Sequence, residues 1–168
     1  MPSPYEQDPR LEGGRSSHYD RDEVIAAVSD FCKFLTKLPY VQPDELLFPP
    51  EGGWPNITAE KLARLEKNDK VIDLLAHLPY ISSKLGGNGW CMVAPDTHLL
   101  DYRGESFQTA LETKPRLDEP PDYVPPYIDL PPWVITLTTG GKYGQYMLLD
   151  TSDGEDSSRV GARLRPLR

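Results

Sequence analysis

The chain has 168 residues, with 26 acidic against 18 basic side chains and a formal net charge of -8. That length suits one ordinary domain, no run approaches the roughly 18 apolar residues of a membrane span, and so acidic a body excludes nucleic acid as an expected partner. Two cysteines cannot build a disulfide framework, and Met1-Pro2-Ser3-Pro4-Tyr5-Glu6 lacks the basic and apolar regions of a secretory signal, so the expected location is the cytoplasm or the nucleus.

Pro2, Pro4 and Pro9 mark residues 1–18 as a flexible tail. Asp20 with Glu23 forms an aspartate version of the capping box, and Val24, Val28, Phe31, Leu35 and Leu38 follow at helical spacing. Ala27 and Cys32 flank this stripe, and Pro39 stops the helix. Pro43 to Pro55 reads as a turn and a loop anchored by apolar side chains, Trp54 among them. Thr58 suits an N-cap for a helix bearing Leu62 and Leu65. Asn68 or Asp69 suits a cap for Val71, Leu74, Leu75 and Leu78, which Pro79 ends; the pattern fits two helices or one continuous helix over about 59–78. Leu38-Pro39-Tyr40 and Leu78-Pro79-Tyr80 are matching helix exits rather than a repeat, because the sequences between them do not match.

From Trp90 the period changes. Gly86 to Gly89 reads as a turn, and Trp90–Pro95 and Thr97–Arg103 as two strands divided at Pro95-Asp96. Seven of the eighteen prolines fall between Pro115 and Pro132, so 104–132 reads as an extended, partly polyproline connection. Trp133–Thr138 and Tyr143–Asp150 then read as a β-hairpin closing at 139–142. Residues 153–168 read as a flexible tail; from Glu155 onward it carries four arginines and two acids, or +2, leaving -10 on residues 1–154. Helices followed by strands predict an α+β domain over 19–152, with N-terminal helices packed on a small antiparallel sheet that contains the C-terminal hairpin.

No residue set declares a chemistry. Gly140-Gly141-Lys142-Tyr143-Gly144 lacks the spacing, the Ser or Thr and the following helix of a phosphate loop. Asp150 to Asp156 misplaces the glycine of a calcium loop. Asp96 and His98 share a strand face, but a metal needs three or four converging ligands. Cys91 with His98, oriented by Asp101 or Asp96, is formally a nucleophile pair, yet Cys91 sits in an apolar run that suits an inert buried thiol. Glu105 beside Asp101 does not by itself make a glycosidase pair. Val160, Leu164 and Leu167 among the terminal arginines are spaced for a short basic amphipathic helix, which Gly161 and Pro166 oppose.

Tyr19-Asp20-Arg21, Phe34 to Leu38, Gly53-Trp54-Pro55-Asn56-Ile57-Thr58, Leu74 to Tyr80 and Leu148 to Thr151 resemble a group of uncharacterised filamentous-fungal proteins. That group in turn resembles the SUKH superfamily, which includes a fungal cell-wall-synthesis regulator and bacterial immunity proteins. The resemblance implies an α+β fold that binds proteins and has no catalytic residues to transfer. The sequence stops soon after the hairpin, where members of the group continue with aromatic helical sequence.

The expected function is therefore a non-enzymatic, intracellular protein-interaction domain with no cofactor and no metal. Trp54, Tyr123, Tyr127 and Trp133 are its expected contact residues, since aromatics give contact area at low entropy cost. Two alternatives stand beside it. One is a small hydrolase or ligand-binding protein with a cleft near Cys91, His98 and Asp101; the other is a truncated fragment without independent function.

Overall fold

The computed structural model describes residues 19–39, 41–82, 91–113, 130–140 and 143–152. Both expected tails, the Gly86–Gly89 turn, Tyr123, Tyr127 and most of the proline-rich connection lie outside the described residues.

Helix α1 spans Arg21–Leu35. Its buried stripe is Ser29, Cys32 and Leu35, with Val24, Ile25 and Val28 packed against the core. The expected stripe is therefore rotated: Phe31 sits at its margin, 41% exposed, and Phe34 lies outside it, 55% exposed. The helix also ends three residues before Leu38, because Lys37 and Leu38 donate to the carbonyls of Phe34 and Leu35 and tighten the last turn. A 3₁₀ turn, Pro43–Glu45, leads into β1, Leu46–Leu47.

The expected helix from Thr58 does not form as a regular α-helix. Thr58 does accept the amide of Lys61 on its hydroxyl, but the chain makes turns and a 3₁₀ segment, Ala63–Leu65. Glu66 then takes a left-handed conformation, φ 52°, which separates this segment from the next helix. Helix α2, Asp69–His77, begins where Asn68 Oδ1 accepts the Val71 amide at 3.0 Å. It buries Val71, Ile72, Leu74 and Leu75. Arg21 ties α1 to α2 through Asp73 at 2.8 Å.

After α2 come β2 (Tyr80–Ile81), β3 (Met92–Ala94) and β4 (Thr97–Leu99). The stretch expected to be extended from residue 104 opens instead on a helix, α3, Glu105–Thr113, which buries Phe107, Ala110 and Leu111. Arg64 donates to the Leu111 carbonyl of α3. Strands β5 (Val134–Thr136), β6 (Thr138–Gly140) and β7 (Leu148–Asp150) follow. The strands form three small antiparallel sheets, β1-β2, β3-β4-β6 and β5-β7, so the fold is α+β as expected.

The expected hairpin is only half of the arrangement. Val134 pairs with Asp150 and Thr136 with Leu148, but the next strand, β6, leaves for β4 and matches Thr97 to Gly140 and Leu99 to Thr138. Thr138, fully buried, explains the departure. Its hydroxyl accepts the Met147 amide and donates to the Gln145 carbonyl, both at 2.8 Å. One side chain thus satisfies the returning strand, and the β6 backbone is free to pair with β4.

Two apolar clusters sit between these layers. The larger joins α2, α3, Ile57, Leu62, Tyr80, Leu100, Tyr102 and Ile135; the smaller joins Cys32, Leu35, Val41, Ile81 and Cys91. Buried phenols are paired: Tyr80 donates to the Leu75 carbonyl and Tyr102 to that of Thr136.

Candidate functional site

Trp54 is held by four neighbours. Gly53, at φ +89°, would place a Cβ 2.9 Å from the Ala76 carbonyl oxygen, so only glycine lets the loop close onto α2 there. The Trp54 amide then donates to Ala76 at 2.8 Å, and its indole N–H to the Leu78 carbonyl at 2.8 Å. Its ring lies 6.2 Å from that of Tyr80, and the Arg103 guanidinium stacks over it at 5.0 Å. The side chain is half-buried and fastens the 52–57 loop to the helix exit.

Trp133 is also half-buried, and its carbonyl accepts both the amide and the hydroxyl of Thr151 at 2.9 Å. Just before it, Lys67 donates to the carbonyls of Leu130 and Pro131, and the Asn68 amide to that of Pro132. Burial lowers the Lys67 pKa. The end of the proline-rich stretch is thereby pinned to the start of α2. Tyr123 and Tyr127 lie outside the described residues.

Cys91, His98 and Asp101 do not converge into a cleft. In the β3–β4 ladder Met92 pairs with His98, and the Leu99 amide bonds the Cys91 carbonyl at 2.9 Å. Paired residues share a face and successive residues alternate, so Cys91 points inward with Leu99 while His98 points to the opposite face with Met92. Cys91 is buried, and burial pushes its thiol up; Cys32 is pushed up to about 11, chiefly by burial. Both thiols are free and protonated near neutrality. Among the described residues no group of three or more His, Cys, Asp or Glu is placed to hold a metal ion.

Asp101 works locally, at the start of α3. Its Oδ1 accepts the Arg103 amide at 3.1 Å, and its Oδ2 meets the Arg103 guanidinium at 3.2 Å. Burial nevertheless raises its pKa, outweighing Arg103 and the two backbone donors. A carboxyl whose folded value exceeds its unfolded value keeps its proton longer in the native state. Stability therefore falls as pH rises from the ordinary value, 3.8, through the raised one, and is level above it. Asp101→Asn is expected to flatten that interval relative to the wild type, as urea unfolding between about pH 4 and pH 7 would register.

Exposed large apolar side chains sit on several elements, Phe48, Met92, Tyr143 and Tyr146 among them. Phe31 and Phe34 protrude from α1, Met147, 48% exposed, lies just before β7, and Leu148, 49% exposed, opens it. Phe31 and Met147 both line a cavity of about 230 Å³ whose walls include Val28, Ile81, Leu99 and Leu137. Periodicity alone places Phe31 in the core stripe, whereas it is 41% exposed. The overlooked signal was Phe34, an aromatic outside any stripe, together with Leu148-Leu149, which cannot both face inward from one strand.

Compared with protein-family models, curated proteins and solved structures, the chain matches none. Among the described residues no helix is long and apolar enough to cross a membrane.

Proposed function

We propose that this chain is a non-enzymatic protein-interaction domain of the SUKH-like kind, and that it holds a partner segment bearing an apolar anchor flanked by Lys or Arg. The observation that carries this reading is the exposed set of Phe31, Phe34, Met147 and Leu148, two of which meet at one cavity. Isolated surface apolar residues are ordinary; large ones grouped around a concavity favour contact. The basic flanks follow from charge: residues 21–151 hold 19 acids against 12 bases, which favours cationic partners and opposes nucleic acid. Two buried free thiols suit a reducing compartment, the cytoplasm or nucleus. Trp54, Tyr123, Tyr127 and Trp133 are the competing contact residues, and for Trp54 the indole bond to Leu78 and the stacking of Arg103 favour a fastening role instead.

A pull-down followed by reconstitution with the purified partner tests this. Phe34→Ser with Leu148→Ser is expected to raise Kd about tenfold or more while leaving the unfolding midpoint in place. A partner that binds this double variant as tightly as the wild type, yet loses affinity when Trp54, Tyr123 and Tyr127 become Ala, would overturn the assignment of the face.

A further inference from the structure

The cavity behind Phe31 and Met147 has a chemistry of its own. It lies between α1, the β2 strand and the Leu99–Tyr102 stretch, and among the described residues no Asp, Glu, Lys, Arg or His lines it. Three of its lining residues carry side-chain hydroxyls, and each is already engaged. Tyr80 donates to the Leu75 carbonyl, Tyr102 to Thr136, and Thr138 both donates to Gln145 and accepts from Met147. The Cys32 thiol is buried and protonated. Among the described lining residues a polar ligand would thus find no side-chain hydroxyl free, and a charged one no counter-charge. An enclosed cavity of about 150 Å³ lined by Leu, Ile and Phe takes benzene; this one, of about 230 Å³, has similarly apolar walls but opens to the surface.

We infer that the cavity is a binding site for a small, uncharged apolar molecule, an alkyl chain or an aromatic ring, entering between Phe31 and Met147. The site shares Phe31 and Met147 with the proposed docking face and rests beside that reading. The ligand occupies the interior, whereas Phe34 and Leu148 stand outside the cavity lining. The acidic body sharpens the choice among amphiphiles, since an alcohol enters without the repulsion a carboxylate meets.

Titration of the ¹⁵N-labelled chain with 1-octanol tests the site. Saturable amide shifts are expected at Cys32, at Leu78 and Ile81 and at Leu99 to Tyr102, with octanoate about tenfold weaker. Val28→Phe, which fills the interior, and Ala27→Trp, which crowds the entrance from an exposed helical position, are each expected to abolish the shifts while unfolding cooperatively. Phe34→Ser is expected to leave them unchanged. Absence of saturation in the wild type, shifts confined to Phe34 and Leu148, or undiminished binding in Val28→Phe would overturn the site. Absence of saturation, or undiminished binding in Val28→Phe, leaves partner docking standing, because the Phe34→Ser, Leu148→Ser pair tests it separately.

Discussion

Replacing Leu74 by Ala is expected to destabilise the domain by about 3 kcal/mol, within the 2–5 kcal/mol typical of buried leucines. Leu74 is fully buried in α2 and belongs to the larger apolar cluster. The helix itself does not suffer, because alanine is at least as good a helix former and the Leu74 carbonyl still accepts the Leu78 amide at 3.0 Å. The loss is therefore one of transfer and cavity, felt where α2, α3 and Ile135 meet. Set against the 5–15 kcal/mol of a typical domain, it is a large share. At a urea slope of about 2 kcal/mol/M the midpoint would move by about 1.5 M. Phe34→Ala, at a position 55% exposed, is the internal comparison and should stay within about 0.5 kcal/mol. Equal costs at the two positions would mean that α1 and α2 bury different faces from those described.

Helix α2 was readable because each of its signals is local. Asn68 caps it, Val71, Leu74 and Leu75 repeat at helical spacing, and Pro79 forbids continuation. Helix α3 carries equally local signals: Phe107, Ala110 and Leu111 repeat at helical spacing, and the first proline of the dense stretch is Pro115. The proline density that predicts an extended connection begins only after this helix. The strand at Trp133 and its return were legible as β from composition, but the partition between β5 and β6 was not. It depends on a single hydroxyl, that of Thr138, replacing two ladder partners, and no periodicity encodes which way a buried threonine donates.

The chemistry near Cys91 and His98 shows the same limit. Six residues lie between them, with a turn among them, so the face each takes depends on the register of β3 against β4. That register carries an irregularity between Met92 and Ala94. A slip of one residue exchanges inward and outward faces, which is why spacing alone left the pair open and the ladder separates it. Exposure of Phe34 and Leu148 was legible in principle, from apolar residues in excess of the available inward positions.

Gly144→Ala is expected to cost about 3 kcal/mol or more and to unfasten β6 from β4, because the obstruction there is backbone on both sides. A Cβ on Gly144 would collide with the Asp96 carbonyl oxygen and with the Gly140 Cα. A Cβ on Gly140 would in turn lie 2.5 Å from the Gly144 Cα and 2.8 Å from the Asp96 oxygen. Flexible side chains can swing away from a new methyl; the Asp96 carbonyl, in the tight turn between β3 and β4, and the Cα of Gly140, in β6, have far less room to do so. The crossing is also tied by two further bonds, from the Tyr143 amide to Asp96 Oδ2 at 3.0 Å and from the Gln145 amide to Thr97 Oγ1 at 2.9 Å. Relief of the collision must stretch these before it reaches the Thr97–Gly140 pair. Native-state hydrogen exchange should therefore show the Gln145 amide losing protection in Gly144→Ala, with the Ile72 amide of α2 changing only by the global loss. Gly52→Ala provides the contrast. It too is strained, at φ +88°, but its Cβ would meet nothing within 4 Å, so it bears only the backbone cost of about 1–2 kcal/mol. If the two substitutions prove equally mild, the close approach of Gly144 to Asp96 does not exist in solution, and the path assigned to the chain between β6 and β7 would have to be redrawn.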